Sequence, residues 1–185
     1  PLRLVGSEMC IRDRVLHPHP QYGGTMNNKV VQLMYGVFLE NGFSVIKVNF
    51  RGVGKSDGVF DNGQGELSDA AAALDWIERQ NLDYSQCWVS GFSFGALIAM
   101  QLLMRRPEIN GFISISPPAN MRDFSFLAPC PSSGMIIHGD KDNIASFDST
   151  KILVEKLQQQ LEKKSEEKTQ DLHGFKNKPG PSIFC

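Results

Sequence analysis

At 185 residues, with 41% hydrophobic and 21% charged side chains, the chain suits one domain with a real core and is too short for two of ordinary size. A formal net charge of -1 gives no electrostatic footprint for nucleic acid or an anionic membrane, and no apolar run approaches the roughly 18 residues of a membrane span. Cys10, Cys87, Cys130 and Cys185 are scattered without CxxC spacing, which argues against a zinc site or disulfide framework and fits a reducing cytoplasm.

In chain order, residues 1–14 show no periodicity, and Ser7–Arg14 looks like translated sequencing-adapter read-through. They are expected to stand outside the fold as a non-native leader. Val15-Leu16-His17 reads as the end of a strand. Asn27–Glu40 places Val30, Val31, Met34, Val37 and Phe38 at helical spacing and stops at Asn41-Gly42. Phe43–Phe50 is β-branched and aromatic and reads as a strand. A second helix is expected over Glu66–Gln80, then a strand at Gln86–Ser90 and a helix at Phe94–Arg106. That third helix is apolar all round and should be buried. Strands at Gly111–Ser116 and Gly134–His138 precede an amphipathic helix at Ser149–Leu161. From Lys163 the chain is charged, then Pro/Gly-rich, with no convincing strand or helix.

Strands alternating with helices predict βαβ units and a mostly parallel sheet covered by helices on both faces. Ligand sites in such sheets lie beyond the carboxyl ends of the strands. At that edge stands Gly91-Phe92-Ser93-Phe94-Gly95, between a strand and a buried helix. In this context G-x-S-x-G is a nucleophile elbow, a tight turn that lifts the Ser93 hydroxyl above the sheet. A glycine-rich helix cap with Ser93 as N-cap is the structural alternative.

The run His17-Pro18-His19-Pro20-Gln21-Tyr22-Gly23-Gly24 follows the first strand. Hydrolases built on such an elbow take one oxyanion N–H from the residue after the nucleophile, here Phe94, and another from this loop. Pro18 and Pro20 have no N–H, so His19 is the first choice of donor and Gln21 the second. A metal site at His17 and His19 is disfavoured, because alternation on extended chain points the two rings to opposite faces. His17 reads as a packed, hydrogen-bonded histidine. After the fourth internal strand comes His138-Gly139-Asp140-Lys141-Asp142-Asn143-Ile144. Asp142 is the chosen triad acid, with Asp140 shaping the turn; both as plain turn residues is the alternative. Gly54-Lys55-Ser56 lacks the first glycine of a P-loop, since Asn49 stands six residues before Lys55. That stretch reads as a shaped loop braced by Arg51.

With these parts in order, the sequence resembles a bacterial group of small α/β hydrolases related to the dienelactone hydrolases. The likeness covers Val15 to about Leu161, through HPHPQYGGTMNN, NFRGVGKSDG, DNGQGELSD, WVSGFSFGA, LLMRRPEI, DFSFLAPCPSSG and HGDKDNI. The resemblance implies an α/β-hydrolase fold of about eight strands and hydrolysis of an ester-like bond in a small-molecule substrate. It also implies no cofactor, no metal, Ser93 as nucleophile and an acid at Asp142.

The group carries its catalytic histidine near the C-terminus, in a Gly-Ala-Asn-His-Phe-Phe-like segment. Here the only histidine after Asp142 is His173, so His173 is the candidate base. One choice of codons for Lys178–Cys185, read from the third base of each codon, encodes Thr-Gly-Ala-Lys-His-Phe-Leu. The expectation is a single hydrolase domain at 15–161, incomplete at both ends, with 162–185 a divergent and out-of-frame tail. The chemistry expected of an intact relative is acyl transfer through an acyl-enzyme. The rival is a hydrolase fold that is non-catalytic for want of the histidine. Peptidase or thioesterase action would use the same residues and differ in the acyl pocket.

Overall fold

Apolar strands separated by amphipathic helices can bury their surfaces only by stacking in layers, and the chain does so around one parallel sheet. The computed structural model describes residues 10–80, 84–127, 129–171 and 182–184. Its strands are β1 (Cys10–Leu16), β2 (Ser44–Lys47), β3 (Tyr84–Phe92), β4 (Gly111–Ile115), β5 (Ser133–Ile137) and β6 (Ser182–Phe184). They lie in the order β2-β1-β3-β4-β5-β6, with every neighbouring pair parallel. The helices are α1 (Lys29–Glu40), α2 (Gln64–Gln80), α3 (Phe94–Leu103) and α4 (Phe147–Asp171).

Alternate side chains of each strand serve opposite faces. Val15 and Val45 face α1, packing with Val31, Met34 and Phe38. Leu16, Val89, Phe112 and Ile136 face the other way, into the larger core formed with α2, α3 and α4. Helices therefore clad both faces, as the sequence pattern predicts. The chain leaves β1 toward β2 on one side and returns as β3 on the other. This reversal between β1 and β3 is a topological switch point, where the loops after the two strands diverge and leave a crevice.

Most boundaries fall within two residues of the sequence reading, and four places differ by more. β1 begins at Cys10, five residues before the boundary drawn at Val15, and buries Arg12, Asp13 and Arg14. A charged run carries no strand signal, yet ladders to β2 and β3 hold it on both sides. β2 ends at Lys47 rather than Phe50, because Asn49 and Phe50 are committed to loop bonds: Asn49 Oδ1 accepts the Met26 N–H, and the Phe50 N–H goes to His17 Nε2. α3 stops at Leu103 rather than Arg106, with Met104 as its C-cap and the Arg105 N–H turning back to Leu102 O at 2.9 Å. The tail read as unstructured from Lys163 contains the end of α4, up to Asp171, and β6. Gln, Glu and Lys are good helix formers without an apolar stripe, and Ser182–Phe184 finds its partners on β5. The resemblance implied about eight strands; six are present among the described residues.

Candidate active site

Ser93 occupies the junction of β3 and α3 with φ 55° and ψ -116°. That is left-handed backbone, costly for a residue with a Cβ, and two glycines make it attainable. A Cβ on Gly91 would run into the carbonyl of Gly95, and one on Gly95 into the carbonyls of Leu16 and His17. The close approach lets the first turn of α3 sit directly on the end of β1. The Ser93 N–H is tied to Ile115 O at 2.9 Å, while its side chain makes no cap bond to the helix. The backbone conformation thus sets where the hydroxyl stands, and no bond to the helix engages it. Ser93 does occupy the N-cap position of α3, as the structural alternative has it, but without a side-chain capping bond.

The N–H groups of Phe94 and His19 have no hydrogen-bond acceptor among the described residues. The first belongs to the opening turn of α3, whose dipole adds partial positive charge there. The His19 ring packs at 4.9 Å from Phe94, 4.8 Å from Tyr22 and 4.7 Å from Phe60, and its Nδ1 accepts the Gln21 N–H at 3.3 Å. Burial lowers the His19 pKa and the Arg122 charge adds to this, with Glu66 opposing. A neutral imidazole with Nδ1 as acceptor follows.

His17 is fully buried. Its Nδ1–H donates to Pro18 O at 2.7 Å and its Nε2 accepts the Phe50 N–H at 3.0 Å. Desolvation pushes its pKa down against the Pro18 bond. The ring thus pins the loop after β1 to the loop after β2. The second loop is held in turn from α2. Asp69 accepts from the Arg51 backbone, Nε and Nη2 at 2.8–3.0 Å, and the buried Glu66 accepts the N–H groups of Asp61 and Gly63 at 2.9 and 2.7 Å. Phe60, between these anchors, lies against both His19 and Phe94. The stretches NFRGVGKSDG and DNGQGELSD are therefore the two halves of one brace. Sequence reasoning identified Arg51 as a brace but missed Glu66, which caps Asp61 and Gly63 just before it, and Phe60, whose partners lie on other segments.

Asp142 lies in the loop after β5. Its Oδ1 accepts the N–H groups of Ile144 and Ala145 at 2.9 and 3.0 Å, and its Oδ2 is 3.9 Å from His138 Nε2. Burial works against its charge, but the two backbone bonds, a Ser116 hydroxyl and His138 outweigh it and hold the carboxyl below its usual range. His138 is buried and donates from Nε2 to Ala145 O at 2.9 Å, which fixes the loop that carries Asp142. The strand pattern around His138 hid that role in the sequence. His173 lies outside the described residues. Among the described residues no group of three His, Cys, Asp or Glu side chains is placed to hold a metal ion, and no helix is long and apolar enough to cross a membrane.

The family model for X-Pro dipeptidyl-peptidase (S15 family) matches residues 13–175. An uncharacterized protein of Rickettsia prowazekii is 58% identical over 149 residues, covering 79% of this chain; the chain spans 63% of that relative's length. A protein of unknown function from Agrobacterium tumefaciens is 57% identical in its crystal structure, with TM-score 0.79 over 81% of this chain and 69% of that one. An α/β serine hydrolase without lid from Xanthomonas campestris is 32% identical, with TM-score 0.78 over 98% of this chain and 74% of that one. By sheet order, elbow and these matches, the chain belongs to the X-Pro dipeptidyl-peptidase (S15) family of α/β serine hydrolases.

Proposed function

We propose that this site hydrolyses an ester-like bond, a carboxylic ester or thioester of a small molecule, through an acyl-enzyme on Ser93. The observation that carries the reading is the strained Ser93 backbone at the head of α3, with the Phe94 N–H bare beside it. In this mechanism a histidine takes the Ser93 proton as the hydroxyl attacks the carbonyl, and the N–H groups of Phe94 and His19 hold the oxyanion. The intermediate collapses by expelling the alcohol or thiol, which takes that proton from the histidine, and water deprotonated by the same histidine then cleaves the acyl-enzyme to the free acid and Ser93. Asp142, ionised and beside the sheet edge, orients the histidine and stabilises its cation. His17 and His138 are buried and engaged in backbone bonds, and His19 is assigned through its N–H. His173 is left as the base. The cytoplasm is the expected compartment, on the cysteine pattern.

The S15 match favours a second reading, cleavage of a peptide bond by the same residues. Turnover of p-nitrophenyl acetate and of an X-Pro p-nitroanilide by wild type, Ser93→Ala and His173→Ala distinguishes them. The ester reading expects the acetate to be turned over and both variants to lose about three orders of magnitude or more in kcat. Equal rates in wild type and Ser93→Ala would sink Ser93 catalysis and leave the inert hydrolase fold as the reading. Loss in Ser93→Ala alone would remove His173 as the base.

A further inference from the structure

A groove of about 410 Å³ lies between the loop after β4 and helix α4, within the size range of small-ligand sites. Phe124, Leu127, Leu153 and Leu157 are buried and make its floor, and Ile152 stands on its wall at 52% exposure. Along α4 the lining runs from Ser149 to Gln160, about 16 Å of helix at the standard rise.

The groove is continuous with the parts described above. Its loop springs from the residue after Ile115, whose carbonyl holds the Ser93 N–H. Ser116, next in the chain, bonds Asp142. Pro117 O accepts from Thr150 Oγ1 at 3.4 Å, at the top of α4, and Asn120 Nδ2 donates to Ile144 O at 3.0 Å in the acid loop. The loop that lines the groove thus starts at the end of β4 beside Ser93 and is tied to the Asp142 loop and to the first turn of α4. Arg122, on the groove wall, is also near enough to His19 to act on its charge. On the two loops that the Asn120–Ile144 bond joins, two apolar side chains are exposed, Met121 at 54% and Ile144 at 74%. Where such exposed side chains adjoin a groove with an apolar lining, the combined surface is suited to an apolar ligand.

We propose that this groove takes the apolar acyl group of the substrate, an aliphatic chain of medium length that passes Met121 and Ile144 on leaving the carbonyl at Ser93. The inference rests on the ester reading for the identity of the chain, and on the groove alone for its binding.

The test is therefore a binding experiment alongside turnover. Octanoate and acetate are titrated by calorimetry into wild type, Ser93→Ala, Ile152→Asp and Met121→Ser/Ile144→Ser, all surface or single-atom changes, with circular dichroism as the check on folding. The expected result is octanoate binding to wild type and Ser93→Ala alike, at least tenfold weaker in Ile152→Asp and in the double variant, with no change for acetate. Equal octanoate affinity in wild type and both groove variants would overturn the proposal, as would no octanoate binding to wild type. Dimerisation of wild type that Ile152→Asp abolishes, without octanoate binding, would assign the groove to a second copy and also overturn it. Turnover of p-nitrophenyl octanoate over acetate reports on the ester reading separately: its absence with the binding pattern intact would remove the reaction and leave the groove.

Discussion

The buried imidazole of His17 accepts the backbone N–H of Phe50 at 3.0 Å, and so joins the loop after β1 to the loop after β2. Its pKa is lowered by burial. Below about pH 6.5 the unfolded chain takes up a proton that the folded ring refuses. The unfolded state then binds more protons, so stability falls as pH drops through that window and levels off above it. His17→Gln, which keeps an acceptor near the Nε2 position, should flatten this part of the urea-stability profile between pH 5 and 7. His17→Phe should cost about 1–3 kcal/mol more, because the Phe50 N–H loses its partner. An unchanged acid slope in both variants would refute the assignment.

Asp13 works in the opposite direction. Burial raises its pKa to about 7, against the Ser90 hydroxyl bond and the Arg14 charge. The folded state therefore holds a proton that the unfolded chain has released, and stability falls as pH rises from about 4 to about 7, by on the order of 4 kcal/mol. Among the described residues the guanidinium of Arg14 beside it finds no hydrogen-bond acceptor, and desolvation lowers its pKa to about 10. A strand between two parallel neighbours ordinarily reads as a hydrophobic run. Replacing Arg12, Asp13 and Arg14 together by Val, Ile and Val should stabilise the fold by about 1–4 kcal/mol and remove the Asp13 slope. A lower melting temperature would contradict the burial of these three side chains.

Ser93 carries backbone strain that glycine does not feel, since its φ and ψ mirror an ordinary extended conformation. Ser93→Gly should keep or raise stability, by up to about 1 kcal/mol, while removing any Ser93-dependent turnover. Gly95→Ala should do the reverse to the fold, because its Cβ meets the end of β1. Thermal melts of the two variants settle the point. Matching losses in both would mean that Ser93 is not strained.

Glu66 holds two loop N–H groups from a position with no solvent access. Glu66→Ala should cost about 1–3 kcal/mol through the unpaired N–H of Gly63. It should also loosen Phe60 from His19 and Phe94, raising KM more than it lowers kcat. Glu66→Gln, with one acceptor oxygen kept, should fall between. A variant with wild-type stability would show that the 61–63 turn stands without this carboxylate.

The elbow, the loop after β1 and the acid loop were legible because each is a short motif read within one segment of chain. The parallel sheet was legible because apolar runs and helical periods alternate along the sequence. Less visible were features set by contacts that apolar periodicity does not mark. Arg12, Asp13 and Arg14 have the chemistry of a surface, and only ladders on both sides draw them into β1. Phe50 looks like a strand residue until His17 claims its N–H. Glu66 looks like an ordinary first-turn acid of α2, and His138 like the last residue of β5. The groove along α4 arises from a stripe on one helix meeting a loop some 30 residues earlier, a match that periodicity does not reveal.

The pairing of β1 with β3 has a kinetic consequence. Leu16 lies opposite Gly91, and Arg12 opposite Cys87, so the crevice at the site closes only when segments some 75 residues apart have met. Such long-range parallel pairing forms slowly. His19, Phe60, Ser93 and Asp142 each arrive on a different crossover. Ser93 can therefore take up its strained turn only after β1 and β3 have docked. Recovery of a reactive serine during refolding should trail the return of helical signal, making the site a late clock for completion of the sheet.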